Sequence, residues 1–173
     1  MSSSGFPDPR RHAYRADLAD ARLKGLIEAE RYVQGEPRQV VAPLLPLRRD
    51  PRPDSTLETE ALKGETVTVF AESEGWTWVQ IDRDLYVGYM PSEGLSASIV
   101  EPTHRIAVLR TYVFPEPDAK SPPLALLSLN ALVTAEAELE VEELEELIAP
   151  GRSLNHHETL VRDEVEWGVK ELE

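Results

Sequence analysis

The sequence predicts a mainly β protein: two small barrels in tandem, a short helix before the first and a helix at the C-terminus. Three observations predict it. Residues 64–95 hold three runs of period-two alternation, each closed by turn residues. Fourteen prolines divide the chain into short elements. The order of residues in the first half is echoed, weakly but in sequence, in the second.

The alternating stretch organises the rest. Val67 and Val69 alternate with Thr66 and Thr68. Trp76, Trp78 and Gln80 fall on one face of the next run, and Thr77, Val79 and Ile81 on the other. Tyr86, Val87 and Tyr89 precede a Pro-Ser break. β-Branched and aromatic residues fit a pleated, half-buried surface, so this reads as a meander of three strands.

Before it, residues 1–13 are polar and proline-rich, a composition that predicts flexibility. Tyr14, Leu18, Ala21 and Leu23 give a rough helical stripe, and Gly25 stands where a helix would stop. Residues 39–47, Q-V-V-A-P-L-L-P-L, are apolar but carry two prolines, which cannot donate to a ladder. They predict an edge strand or an irregular apolar strap. Residues 48–56 are a loop by composition.

After it, the pattern restarts. Ile106-Ala107-Val108-Leu109 echoes Val41-Ala42-Pro43-Leu44, 65 positions apart. Leu127 with Leu132-Val133-Thr134 echoes Leu62 with Val67-Thr68-Val69. The second copy departs where A-E-L-E-V-E-E-L-E-E-L replaces the tryptophan-bearing strand. Ala137, Leu139 and Val141 alternate like a strand, whereas Val141, Leu144, Leu147 and Ile148 step like a helix, so both readings stand for residues 136–148. Val161, Val165, Val169 and Leu172 sit at helical spacing. The expected division is residues 1–33, a flexible start and short helix; 34–98, the first barrel; 103–160, a second, divergent one; and 161–173, a C-terminal helix or linker.

The chain has 173 residues, enough for one medium domain or two small ones, and a net charge of −14. An acidic chain is repelled by nucleic acid and by anionic membrane surfaces, so neither is an expected partner. Seven glutamates in residues 136–146 supply half of that charge. Their spacing lacks the pattern of a calcium loop, and a solvated face is the plainer reading. No apolar run reaches membrane-spanning length and no secretory leader is visible, which makes a cytoplasmic site the default expectation.

Catalytic signatures are few. There is no cysteine, hence no disulfide and no thiol nucleophile within the chain. No glycine-rich phosphate loop and no G-x-S-x-G elbow occurs. The run His157-Glu158-Thr159-Leu160-Val161 starts like a zinc-protease helix but ends in valine, which cannot ligate zinc. The His156-His157 pair reads as a solvated or turn-lining pair. No cofactor or metal is expected. Trp76, Trp78, Tyr86 and Tyr89 are the informative set. Each can fill a small barrel's core, but alternation sends some outward, where aromatics offer platforms for sugars or peptides.

These residues carry a resemblance. Leu62-Lys63-Gly64-Glu65 before V-T-V, then Glu74-Gly75-Trp76-Thr77-Trp78, then Tyr86-Val87-Gly88-Tyr89-Met90-Pro91, resembles the first bacterial SH3-like domain of the NlpC-type cysteine peptidases. It extends back to D-L-A-D-A-R-L-K-G at 17–25 and V-A-P-L-L-P-L-R at 41–48, and forward to residues 103–118. Coverage is about residues 14–134. The resemblance implies two SH3-like barrels ahead of a catalytic domain that cuts cell-wall peptides between D-glutamate and a diamino acid. Without cysteine this chain cannot perform that chemistry alone.

In the family the first barrel helps to form the substrate pocket and limits entry to peptides with a free amino end. Carried over by position, that role falls to Glu65 and Tyr86, with Trp76 and Tyr89 as neighbours. The expected function is therefore a non-catalytic targeting and substrate-gating region that meets a muropeptide or a cognate catalytic domain. The alternatives are the front fragment of a cysteine endopeptidase and a protein-interaction adaptor.

Overall fold

The structure, a computed structural model, describes residues 7–115, 120–134 and 169–171. These are built from strands and two short 3-10 turns, with no α-helix among them. The glutamate run of residues 136–146 and the His156-His157 pair lie outside the described residues.

The strands are β1 (Ala19–Asp20), β2 (Tyr32–Val33), β3 (Glu36–Val40), β4 (Leu44–Arg48), β5 (Leu57–Leu62), β6 (Thr66–Ser73), β7 (Trp76–Ile81), β8 (Val87–Pro91), β9 (Leu95–Ser96), β10 (His104–Ile106), β11 (Arg110–Val113), β12 (Ala125–Ser128), β13 (Leu132–Val133) and β14 (Val169–Glu171). They divide between two compact units: residues 1–61 with 65–99, and residues 62–64 with 100–173.

The first unit centres on a seven-stranded sheet, β5-β4-β8-β7-β6-β3-β9, with antiparallel registers. The predicted meander is its middle. The alternation sorts as the sequence indicates. Val67, Val69, Val79, Ile81 and Met90 enter one core, joined by Val40, Leu45, Leu47, Ala61 and Leu95. All seven strands thus feed one cluster from one face, which requires the sheet to curl. The curl brings Gly94, beside edge strand β9, so close to Leu45 of β4 that an added Cβ would lie 2.3 Å from that side chain. The sheet nevertheless stays open, and the closed barrel expected for residues 34–98 is not formed.

Local chemistry sets the turns. Glu74 and Gly75 both have positive φ, 51° and 79°, and join Ser73 to Trp76 as a two-residue hairpin whose twist matches its strands. A bulge between Val69 and Ala71 shifts the face of β6, so that Phe70 and Ala71 join the opposite side of the sheet. The proline-bearing segment is not an edge. β3 lies between β6 and β9, and β4 between β5 and β8. Pro37 is tolerated because β9 pairs only with Gln39 and Val40, so that flank of β3 has no ladder at the proline.

The predicted N-terminal helix is replaced by β1, a 3-10 turn at Ala21–Leu23 and β2, which pairs parallel with β1. Its stripe is satisfied another way. Ala13 and Leu18 bury against Phe70 and Trp78 on the sheet's outer face. The backbone is tied down through Val87 N to Arg10 O at 2.8 Å and Gln80 Nε2 to Arg11 O at 2.7 Å. Tertiary burial overrides a weak helical propensity here.

The second unit holds a three-stranded sheet, β13-β10-β14, and a two-stranded ribbon, β11-β12. Its described core is Ile106, Leu127 and Ala131, flanked by Leu62, Val108 and Val133. Neither sheet is a barrel, so the tandem barrels are not formed among the described residues. At Val169–Glu171 a strand paired to β10 stands where a C-terminal helix was expected. Val169 pairs with Ile106 in that ladder, and Val161, Val165 and Leu172 lie outside the described residues.

Candidate functional site

The four candidate residues separate into three places. Glu65 ends the turn before β6, and its buried carboxylate forms an ion pair with Arg83, Nη1 to Oε1 at 2.9 Å. Arg83 lies in the turn between β7 and β8. Its Nη2 meets Asp84 Oδ2 at 3.3 Å, and Asp84 Oδ1 accepts from the Tyr86 backbone N at 3.1 Å. Tyr86 packs half-buried against the inner core. Glu65 and Tyr86 therefore share one end of the sheet, linked through Arg83 and Asp84.

Trp76 does not join them. It begins β7, opposite Pro91, five residues from Ile81. At about 3.3 Å per residue that is roughly 17 Å along the strand. Tyr89 stands mid-strand on the outer face, opposite Trp78. Its hydroxyl accepts from Arg15 Nη1 at 2.8 Å, and the Arg15 guanidinium lies 4.3 Å over the Trp78 ring. Of the aromatics expected as a platform, Trp78 and Tyr89 are thus covered by the chain's own N-terminal strap, with Arg15 as its cation. Burial disfavours the Arg15 charge, but hydrogen bonds to Tyr89 and Asp17 outweigh it and raise its pKa.

Residues outside the expected set do much of the organising. Arg22 donates through Nε to Asp20 Oδ2 at 2.6 Å and through Nη2 to Gln80 Oε1 at 3.2 Å. The Asp20 hydrogen bond raises its pKa. Gln80 is buried and spends its amide on two backbone carbonyls, Arg11 and Leu85. Asp82 accepts from Thr66 at 2.6 Å and Thr68 at 2.9 Å. One signal for this network was present: an amide at position 80 in phase with two tryptophans. Nothing in the sequence pointed to Arg15 or Arg22 as its partners. Among the described residues no group of three or more His, Asp or Glu could hold a metal.

A curled antiparallel sheet of short strands around one small core defines an SH3-like β domain. Residues 47–95, from Leu47 in β4 to Leu95 in β9, match the family model of the bacterial dipeptidyl-peptidase SH3 domain, so this stretch of the chain is similar to that domain. No curated protein matches the chain. Similar solved structures include an NlpC/P60 family protein from Bacillus cereus, 18% identical with a TM-score of 0.46, covering 60% of this chain and 48% of that one. NlpC2 from Trichomonas vaginalis is 13% identical with a TM-score of 0.33, covering 59% of this chain and 38% of that one. The chain thus spans less than half the length of either.

Proposed function

We propose that this chain is the SH3-like targeting and substrate-gating region of a cell-wall peptide hydrolase, and that it receives muropeptides with a free amino end. The observation that carries the reading is the family match over residues 47–95, which supports an accessory domain of a peptidase family. It is supported by Glu65 and Tyr86 lying at one end of the sheet. A buried carboxylate and a phenol at the same end of a sheet are groups suited to an ammonium. Trp76 and Tyr89 take no direct part in this version: one is distant and the other is engaged by Arg15. The thiol nucleophile of the reaction comes from a catalytic domain, because this chain has no cysteine.

Arg83 is the gate in this scheme. It already occupies the Glu65 carboxylate, so an incoming ammonium must share or displace it. The test is calorimetric titration of the full chain with a muropeptide carrying a free amine, against its N-acetylated form. Glu65→Gln should weaken binding by about tenfold or more, the loss of one charge-assisted hydrogen bond. Arg83→Gln should strengthen it. Equal binding of the free and acetylated peptides would end the proposal. Binding of the amine that is unchanged in Glu65→Gln and Tyr86→Phe would keep the ligand and reject the site.

A further inference from the structure

We propose a second binding site, on the outer face of the first unit, that takes a small carboxylate. It is a cleft of ≈ 460 Å³ lined by Asp20, Ala21, Arg22, Gln34, Gly35 and Thr68. That volume lies within the ordinary range for small-molecule sites. The cleft is separate from Glu65. Alternation along β6 puts Thr68 on the outer face with Gln80, whereas Val67 and Val69 enter the inner core.

Arg22 gives the cleft its chemistry. Its Nε–Nη2 edge is fixed by Asp20, whose carboxylate is 6% exposed, and by Gln80. Asp20 is itself held in place, because its Oδ1 accepts from the Arg22 backbone N at 2.9 Å. The guanidinium is thus held without loss of exposure: its side chain is 71% accessible. Its Nη1 has no hydrogen-bond partner among the described residues. A planar donor oriented in advance, on a residue that lines the cleft, suits a carboxylate more than a phosphate here, since Arg22 is the one cation among the lining residues and Asp82, which accepts from Thr68, places a second negative charge nearby. The neighbouring Asp20 charge keeps the site weak and excludes dianions.

The floor depends on Gly35. A Cβ there would lie 2.2 Å from the Thr68 methyl and 2.9 Å from Phe70, so the chain entering β3 approaches β6 closely at this point. Exposed Gln34 adds an amide that can donate to the same ligand. Peptides ending in a free carboxylate fit this donor set. The site would then hold the carboxyl end of a peptide independently of any amino-end site at Glu65.

The experiment is an amide-detected NMR titration of the full chain with N-acetyl-alanyl-alanine, against the same dipeptide as its C-terminal amide. The expected result is saturable shifts at Ala21, Arg22, Gln34 and Gly35 with the acid, and at least tenfold weaker binding of the amide. Arg22→Gln should weaken the acid about tenfold while shifts at Val79 and Ile81 stay at their parent values, which reports an intact sheet. Gln34→Ala should weaken it less. Non-saturable shifts, equal binding of acid and amide, or unchanged binding in Arg22→Gln would each overturn the proposal. Because the probe has no free amine, failure here leaves the Glu65 reading untouched.

Discussion

The two compact units use similar strands and reach different depths of core. In the first, seven strands drive ten buried hydrophobic residues into one cluster. In the second, the described residues bury three, while Leu109, Tyr112 and Leu124 are each more than half exposed. The difference is one of phase. In β6, up to its bulge, and in β7, alternate residues enter one core, Val67 with Val69 and Val79 with Ile81, and β8 adds Met90. β12 places Leu126 and Leu127 side by side, so one is buried and its neighbour is not. Adjacent residues of a strand face opposite ways, and a doublet cannot add twice to one core.

The largest expected effect comes from breaking that contrast. Leu47 and Leu127 are both fully buried, but Leu47 lies in the larger cluster. Leu47→Ala should cost about 3–4 kcal/mol and Leu127→Ala about 2 kcal/mol, because a cavity in a small cluster collapses more readily. Native-state hydrogen exchange read at Val79 and at Ile106 would separate the units. Equal costs would mean that depth of core is not what distinguishes them.

That contrast also marks what the sequence could tell. The meander was legible because the alternation of Val67, Val69, Val79 and Ile81 against Thr66, Thr68, Trp78 and Gln80 is local and survives any tertiary arrangement. The glycine-tipped hairpin was legible for the same reason. The predicted helix at Tyr14–Gly25 failed because Leu18 and Ala13 find their burial on an aromatic sheet face 50 or more residues away. The bulge at Phe70 and the internal placement of β3 were invisible, since both depend on which strand lies opposite. Of the four residues carried over from the resemblance, Glu65 and Tyr86 lie at the same end of the sheet and Trp76 does not, and nothing in the sequence indicates that Arg15 meets Tyr89.

A sharper comparison is internal to the first unit, between sheet and strap. Arg15 ties the strap to Trp78 and Tyr89. Arg15→Ala should cost about 1 kcal/mol, the sum expected of one partly shielded cation–π contact and one hydrogen bond. The loss should be local. Exchange of the Ala19 and Asp20 amides, which bond to Arg31 O and Ala13 O, should speed about fivefold, while Val79 is unchanged. A uniform loss across the sheet would show the strap to be an integral part of the fold and not an attached layer.

The smallest effect concerns the first anchor of that strap. Asp8 accepts from Arg10 through the backbone N at 3.0 Å and Nη2 at 2.9 Å, and Arg10 O in turn accepts from Val87 of β8. The Arg10 side-chain hydrogen bond, then its backbone hydrogen bond, lower the Asp8 pKa below its usual 3.8. A carboxylate whose folded pKa is depressed stabilises the fold above its unfolded value, and that stabilisation fades as pH falls through the folded value. The urea midpoints of the parent and Asp8→Asn should therefore differ slightly at about pH 6 and converge only in strong acid. Added salt should shrink the gap at pH 6, since the pair is solvent-facing. A carboxyl titration midpoint for Asp8 at or above 3.8, followed by NMR, would show that Arg10 does not hold it, and the strap would then be anchored by its other bonds, among them those of Arg10 O, Gln80 and Arg15.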